Sequence, residues 1–195
     1  MYIYPVPREE EVLRDLAAVG YVVPSIADLR TSGGRYRDAI PVLLASLQRA
    51  TNRMVKGELV RALSVPWAKP SAVGPLIEEF KKVDGETEPG LRWIVGNALE
   101  VVWDDRWFDE LVALARERSY GRDREMVVLG LGRSKNPDAC YVALELLDDP
   151  AVNGHAVAAL RKLKDPRARA GLESMLTDER AWVRKEAKCG LTALG

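Results

Sequence analysis

One degenerate pattern recurs five times along this chain, and a recurrence of that length leaves few folds open. Each copy closes on a leucine: Leu63, Leu99, Leu131, Leu160 and Leu191, at intervals of 29 to 36 residues. Periods in this range belong to stacked helical hairpins, because a single hairpin cannot bury its own apolar face and must lean on a copy of itself. The clearest copy reads Trp182-Val183-Arg184-Lys185-Glu186-Ala187-Lys188-Cys189-Gly190-Leu191. Four residues before each leucine stands a small or apolar residue, Leu59, Val95, Val127, Ala156 or Ala187, which lets that helix sit close to its neighbour.

A second register agrees with the first. Upstream of each closing leucine lies an apolar triplet at i, i+4 and i+8, as in Ala39, Leu43, Leu47 and in Ala72, Leu76, Phe80. The later copies carry Trp107, Leu111, Ala115; then Ala139, Ala143, Leu147; then Ala168, Leu172, Leu176. That spacing keeps one stripe of a helix buried. Each unit is therefore a first helix, a turn and a second helix. Asn52, Thr87, Ser119, Asp149 and Asp178 stand where they would accept the orphan amide protons of the second helices. Asn136-Pro137 and Asp165-Pro166 open the first helices of units four and five, with proline in the first turn.

These residues predict an all-α fold, a right-handed α-α superhelix of five hairpins from about Tyr36 onward. The preceding 35 residues depart from the repeat. Glu9-Glu10-Glu11 suits the positive amino end of a helix dipole, and Val12, Leu13, Leu16 and Val19 form the apolar stripe behind it. A short helix from Pro24-Ser25-Ile26 follows, stopping before Gly33-Gly34. The expectation is a capping hairpin over residues 1–35, covering the first exposed repeat face of a solenoid at 36–195, the two forming one continuous domain.

The pattern resembles HEAT repeats, and between Asn136 and Leu194 the short units are similar to the compact variant named after phycobilisome lyases. Asp165-Pro166, Ala168, Leu172, Ala181-Trp182-Val183-Arg184, Ala187 and Gly190-Leu191 carry the likeness. The resemblance implies that the arginine seven residues before the closing leucine bonds the neighbouring repeat. That position holds Lys56, Arg92, Arg124, Asn153 and Arg184, with Asn153 the departure. Such scaffolds serve many partners, so the likeness implies architecture and leaves the ligand open.

Composition narrows the function. The 195 residues carry 29 basic and 29 acidic side chains, so no net charge draws the chain to polyanions. The charge is nevertheless uneven: Leu76–Glu110 holds ten acidic residues against four basic, and Ala151–Gly195 nine basic against five acidic. No apolar run approaches a membrane span, and Met1–Pro7 has no leader layout. Cys140 and Cys189, on separate predicted helices, read as buried, reduced thiols, and the expected location is cytoplasmic.

Catalytic signals are sparse. His155 is the lone histidine, no His or Cys cluster has metal-ligand spacing, and Gly130-Leu131-Gly132 reads as close helix packing. Glu100, Asp104, Asp105, Asp109 and Glu110 form an acidic run suited to a cation or a basic partner. Among the five tryptophans, Trp67 and Trp103 recur four residues past a closing leucine and read as packing groups, and Trp107 reads as core. Trp93 and Trp182 fall near the starts of second helices, where the inner face is open.

The expected function is a non-enzymatic binding or adaptor module for a protein partner, with no cofactor and no metal. Arg92, Trp93, Asn97, Arg124, Glu125 and Arg184 are the candidates for its concave face. Arg92 and Arg124 also admit a structural role, bonding the adjacent repeat. A DNA-binding or DNA-glycosylase-type protein and a phycobilin-lyase-like protein are the alternatives by family analogy. The zero net charge and the acidic middle stand against nucleic acid.

Overall fold

A computed structural model of the chain describes residues 8–195; the Met1–Pro7 stretch considered for a leader lies outside them. Among the described residues there are twelve α-helices, eight short 3₁₀ segments and no strand. Contacts divide the chain into two compact units, Met1–Val102 and Trp103–Gly195.

The first unit contains α1 (Glu9–Ala18), α2 (Ile26–Thr31), α3 (Ile40–Arg49), α4 (Arg53–Leu63), α5 (Val73–Lys82) and α6 (Leu91–Val101). Helices α3 and α4 form one hairpin and α5 and α6 the next, with second helix α6 packed on second helix α4. The amino-terminal pair follows the same plan, α1 lying on α3 and α2 on α4. Tyr36 joins this pair to the repeats: its ring is buried, and its hydroxyl donates to the Ala62 carbonyl at 2.9 Å.

The second unit contains α7 (Phe108–Arg116), α8 (Glu125–Gly130), α9 (Ala139–Glu145), α10 (Asn153–Leu163), α11 (Arg169–Ser174) and α12 (Ala181–Leu194). They pair as α7/α8, α9/α10 and α11/α12, and the second helices α8, α10 and α12 stack in sequence. Both repeat registers explain the core. Leu63, Leu99, Leu131 and Leu160 are fully buried, as are Leu59, Val95, Val127, Ala156 and Ala187 four residues before each closing position. A leucine so buried contributes about 1.5–3 kcal/mol of transfer free energy.

The stripe fails at two carboxyl ends, for one reason. Leu176, expected to be buried, is 40% exposed, and Leu147 is half-buried; Met175 and Leu146 take the buried places instead. Helices α9 and α11 finish in 3₁₀ turns, Leu146–Asp148 and Met175–Thr177. A 3₁₀ turn closes in three residues, so each step swings further around the axis and the buried position arrives one residue early. Leu191 is also only half-buried, and so is Trp107; of the two cysteines expected to be buried, Cys140 is and Cys189, on the last helix, is exposed.

Capping follows the sequence in part. Asn52 accepts amide protons from Met54 and Val55, closing the start of α4. Asp165 and Asn136 accept from Arg167 and Asp138, the amides just past their prolines. Asp149 and Asp178 hold the amides of Ala151 and Arg180, in the turns leading into α10 and α12. Thr87 and Ser119 do not cap: α6 starts from Gly90 in a left-handed conformation, and α8 starts from Arg124.

Candidate binding face

At three of the five hairpins the position seven residues before the closing leucine bonds the next hairpin, as a cross-repeat ladder with a defined rung. Its partner is the residue eleven before the closing leucine of the next hairpin. Lys56 reaches Glu88 at 3.0 Å and Glu79 at 2.9 Å. Arg124 donates to Asp149 at 2.5 Å. At the third rung Asn153 replaces the basic residue, and the polarity simply reverses, with Arg180 donating to the Asn153 amide oxygen at 2.5 Å. The charge distribution at these rungs is self-consistent. Burial works against a charged Lys56, but the bonds to Glu79 and Glu88 outweigh it and raise its pKa. Burial likewise pushes Asp149 up, and the Arg124 and Ala151 bonds overcome that and hold its carboxyl below the usual range.

The other two basic residues at this register turn back on their own hairpins. Arg92 donates through Nε to the Phe80 carbonyl at 3.1 Å and through Nη2 to the Val83 carbonyl, closing the end of α5. Arg184 donates to the Asp178 and Glu179 carbonyls at 2.7 and 2.8 Å, in the turn before α12. Arg124 does both, since its Nη1 also donates to the Ala115 carbonyl at the end of α7.

The six candidate contact residues therefore occupy different settings. Arg124 is 1% exposed, and Glu125 is buried, accepting from Arg122 at 2.7 Å. Arg92 is half-buried on the α5 carbonyls, and Arg184 is exposed but bonded to its own turn. Trp93 and Asn97 remain at the surface of α6. Trp93 is 43% exposed, and the Asn97 amide lies one helical turn on, donating to the Trp93 carbonyl at 2.9 Å. Together with Arg61, Ser64 and Ile94 they line one depression of about 200 Å³ between α4 and α6.

Two further depressions adjoin that one on the first unit. Arg53, Met54, Gly57, Arg61, Leu91 and Ile94 surround about 80 Å³ at the amino ends of the two second helices. Arg30, Tyr36, Arg61, Ser64, Val65 and Trp67 surround about 270 Å³ toward α2. Arg61 borders all three. It and Met54, which is 70% exposed, were not singled out in the sequence. The available signal was Arg61 lying two residues before a closing leucine and Met54 nine before, both off the buried stripe of α4.

Of the remaining tryptophans Trp67 and Trp103 pack, while Trp182 is as exposed as Trp93 and lies against the preceding hairpin. Trp103 is buried against the α carbon of Gly130, where even a methyl group would lie 2.4 Å from the ring, and its indole donates to Asp105 at 2.9 Å. Asp105 also accepts from the Ser134 hydroxyl and the Lys135 amide, and Asp104 takes Arg106, so these acids of the sequence run serve local loops. Trp67 meets Tyr36 edge-on at 5.5 Å. Trp182 lies over Gly154, 5.5 Å from the His155 ring and beneath the Arg180 guanidinium at 5.7 Å.

Comparison with known proteins agrees with the architecture. Residues 108–191 match the family model of HEAT repeats. A designed armadillo repeat protein, solved in complex with the peptide (KR)4, superposes with a TM-score of 0.58 at 16% identity, covering 97% of this chain and 100% of that one. No protein of curated function matches the sequence. No helix among the described residues is long and apolar enough to cross a membrane.

Proposed function

We propose that this chain, a HEAT-repeat scaffold, is a non-enzymatic binding module that receives a segment of a protein partner across α4 and α6, with Trp93 as the anchor. One observation carries the reading. Trp93 is a large rigid ring left 43% exposed on a second helix, beside a side-chain-sized depression, while the ladder arginines around it are spent on structure. Exposed aromatics next to pockets are where binding energy concentrates, since they desolvate a large area at little cost in conformational freedom. Asn97 adds polar selectivity in the same depression. The peptide held by the similar designed armadillo protein supports a polypeptide as the class of partner.

The test pairs selection with melting. A displayed library of random dodecapeptides is panned on the wild-type protein, and the enriched peptides are titrated against Trp93→Ala and Arg92→Ala. Loss of a hot-spot ring costs about 2 kcal/mol or more, so Trp93→Ala should weaken binding roughly thirtyfold with an unchanged melt. Arg92→Ala should lower the melting temperature, because the Phe80 and Val83 carbonyls lose their donor. Enriched peptides that bind Trp93→Ala as tightly as the wild type would overturn the proposal, and so would a Trp93→Ala variant that melts several degrees early.

A further inference from the structure

The lining of the same face has a sign. Arg30, Arg53 and Arg61 border the three depressions, and no aspartate or glutamate borders any of them. The carboxylate bonded to this group is Glu58, which is shared between Arg61 at 2.9 Å and Arg30 at 3.3 Å. One negative charge thus answers two guanidinium groups. Arg53 donates to the Pro89 carbonyl at 3.0 and 2.5 Å. A carbonyl satisfies those N–H groups but leaves the positive charge uncancelled. Of the three acids in the neighbouring loop, Glu88 is bound to Lys56, Asp84 accepts the Glu86 amide at 2.9 Å, and neither these nor the exposed Glu86 borders any of the three depressions.

Resting on the proposed peptide-binding reading, we infer that the segment received by α4 and α6 is acidic: it places an apolar side chain against Trp93 and sets an aspartate or glutamate beside it on Arg61. Arg61 holds the central place because it borders every depression, and its side chain is 41% exposed, free to reach a second carboxylate beyond Glu58. The planar guanidinium offers five donors, and one bond to Glu58 leaves most of them available for a bidentate carboxylate contact. A basic segment such as the (KR)4 held by the similar armadillo protein would meet like charge here. The depressions are separate and sized for side chains, with Met54, Ile94 and Trp93 among the arginines, so they form interrupted apolar and cationic stations and not a phosphate-tracking strip.

The dodecapeptide selection decides this when its output is read for charge. Trp93-dependent peptides should carry Asp or Glu within a few residues of an apolar or aromatic side chain. Their affinity should fall severalfold between 50 and 300 mM salt, as screening of exposed charges requires. Arg61→Glu should weaken the acidic peptides at least tenfold and, used as bait, should enrich basic ones; Arg61→Lys should retain most of the binding, and both variants should melt like the wild type. Trp93-dependent peptides that are basic or uncharged would overturn the acidic segment and leave the proposed function standing. An absence of Trp93-dependent peptides would overturn both. Single-stranded or duplex oligonucleotides that bind more tightly than the acidic peptides, and lose binding with Arg61→Glu, would make nucleic acid the occupant and overturn the inference.

Discussion

Arg124 Nη2 and Asp149 Oδ2 lie 2.5 Å apart with their side chains 1% and 7% exposed, a buried ion pair that ties the α7/α8 hairpin to α9/α10. The guanidinium has no slack: Nε is bound to the Gly121 carbonyl and Nη1 to the Ala115 carbonyl. Burying both charges carries a desolvation cost that the pair offsets only while it is intact. Arg124→Met should therefore destabilise the protein by about 3 kcal/mol, because it leaves a buried carboxylate with only the Ala151 amide and the more distant Arg118 guanidinium at 3.6 Å. Adding Asp149→Leu should recover part of that loss. Urea unfolding of the two single variants and the double variant measures the coupling, and a double variant with the full sum of both losses would mean the residues act independently.

The two closing leucines of the second unit should separate by burial. Leu131 is fully buried and Leu191 only half-buried on the last helix. Leu131→Ala should cost about 2–5 kcal/mol, in the range of fully buried leucines. Leu191→Ala should cost less than about 2 kcal/mol, since part of its surface already meets water. Chemical denaturation of both variants checks the order, and equal losses would show that the terminal repeat packs like an internal one.

The hairpins were legible in the sequence because helical periodicity and repeat period constrain each other. A residue such as Val95 is buried both as part of a stripe and as a copy of Val127. The ladder was legible only on its basic side, since Arg124 and Lys56 recur visibly. Of their partners, Asp149 read as a turn residue and Glu88 carried no signal of its own, until both proved to sit at one register of the following repeat. What stayed hidden depended on winding and on through-space neighbours. The 3₁₀ ends that expose Leu176 leave no periodic trace of their own. The separation of Trp93 from Arg92, one at the surface and one spent on carbonyls, follows from where α5 ends, which adjacency in sequence does not encode.

Two glycines carry tryptophans and should respond differently to the same methyl group. At Gly130 a Cβ would lie 2.4 Å from Trp103, whose ring is buried and held by Asp105. At Gly154 it would lie 2.3 Å from Trp182, a residue 44% exposed with solvent to move into, and at a tight but tolerable 3.0 Å from the buried Val183. Overpacking a closed site costs about 1–3 kcal/mol. At an open one the ring can move aside, and the strain that remains is offset by part of the roughly 1 kcal/mol that alanine gains over glycine in a helix. Gly130→Ala should lower the melting temperature by several degrees while Gly154→Ala leaves it near the wild-type value. Near-equal losses would mean that Trp182 is fixed as firmly as Trp103.

His155 supplies the pH prediction, and as the only histidine it supplies it cleanly. Burial on α10 disfavours its charged form; Glu125 pulls the other way, Arg122 and Arg180 add to the effect of burial, and the net result holds its pKa below 6.5. A folded-state pKa below the unfolded one means that the unfolded chain binds the proton first as pH falls. The stability supplied by neutral His155 is therefore complete above about pH 6.5 and is lost as pH drops below that value toward the folded pKa. The slope cannot exceed about 1.4 kcal/mol per pH unit for one proton. Wild-type protein should thus melt earlier at pH 5.5 than at pH 7, and His155→Gln should remove that difference, because carboxylates such as Asp149 titrate lower still. Proton-detected titration of the single imidazole gives the folded pKa directly, and Glu125→Gln should move it further down by removing the opposing charge. A folded value above 6.5 would show that Glu125 outweighs burial, and a melting difference that persists in His155→Gln would assign the pH dependence to other groups.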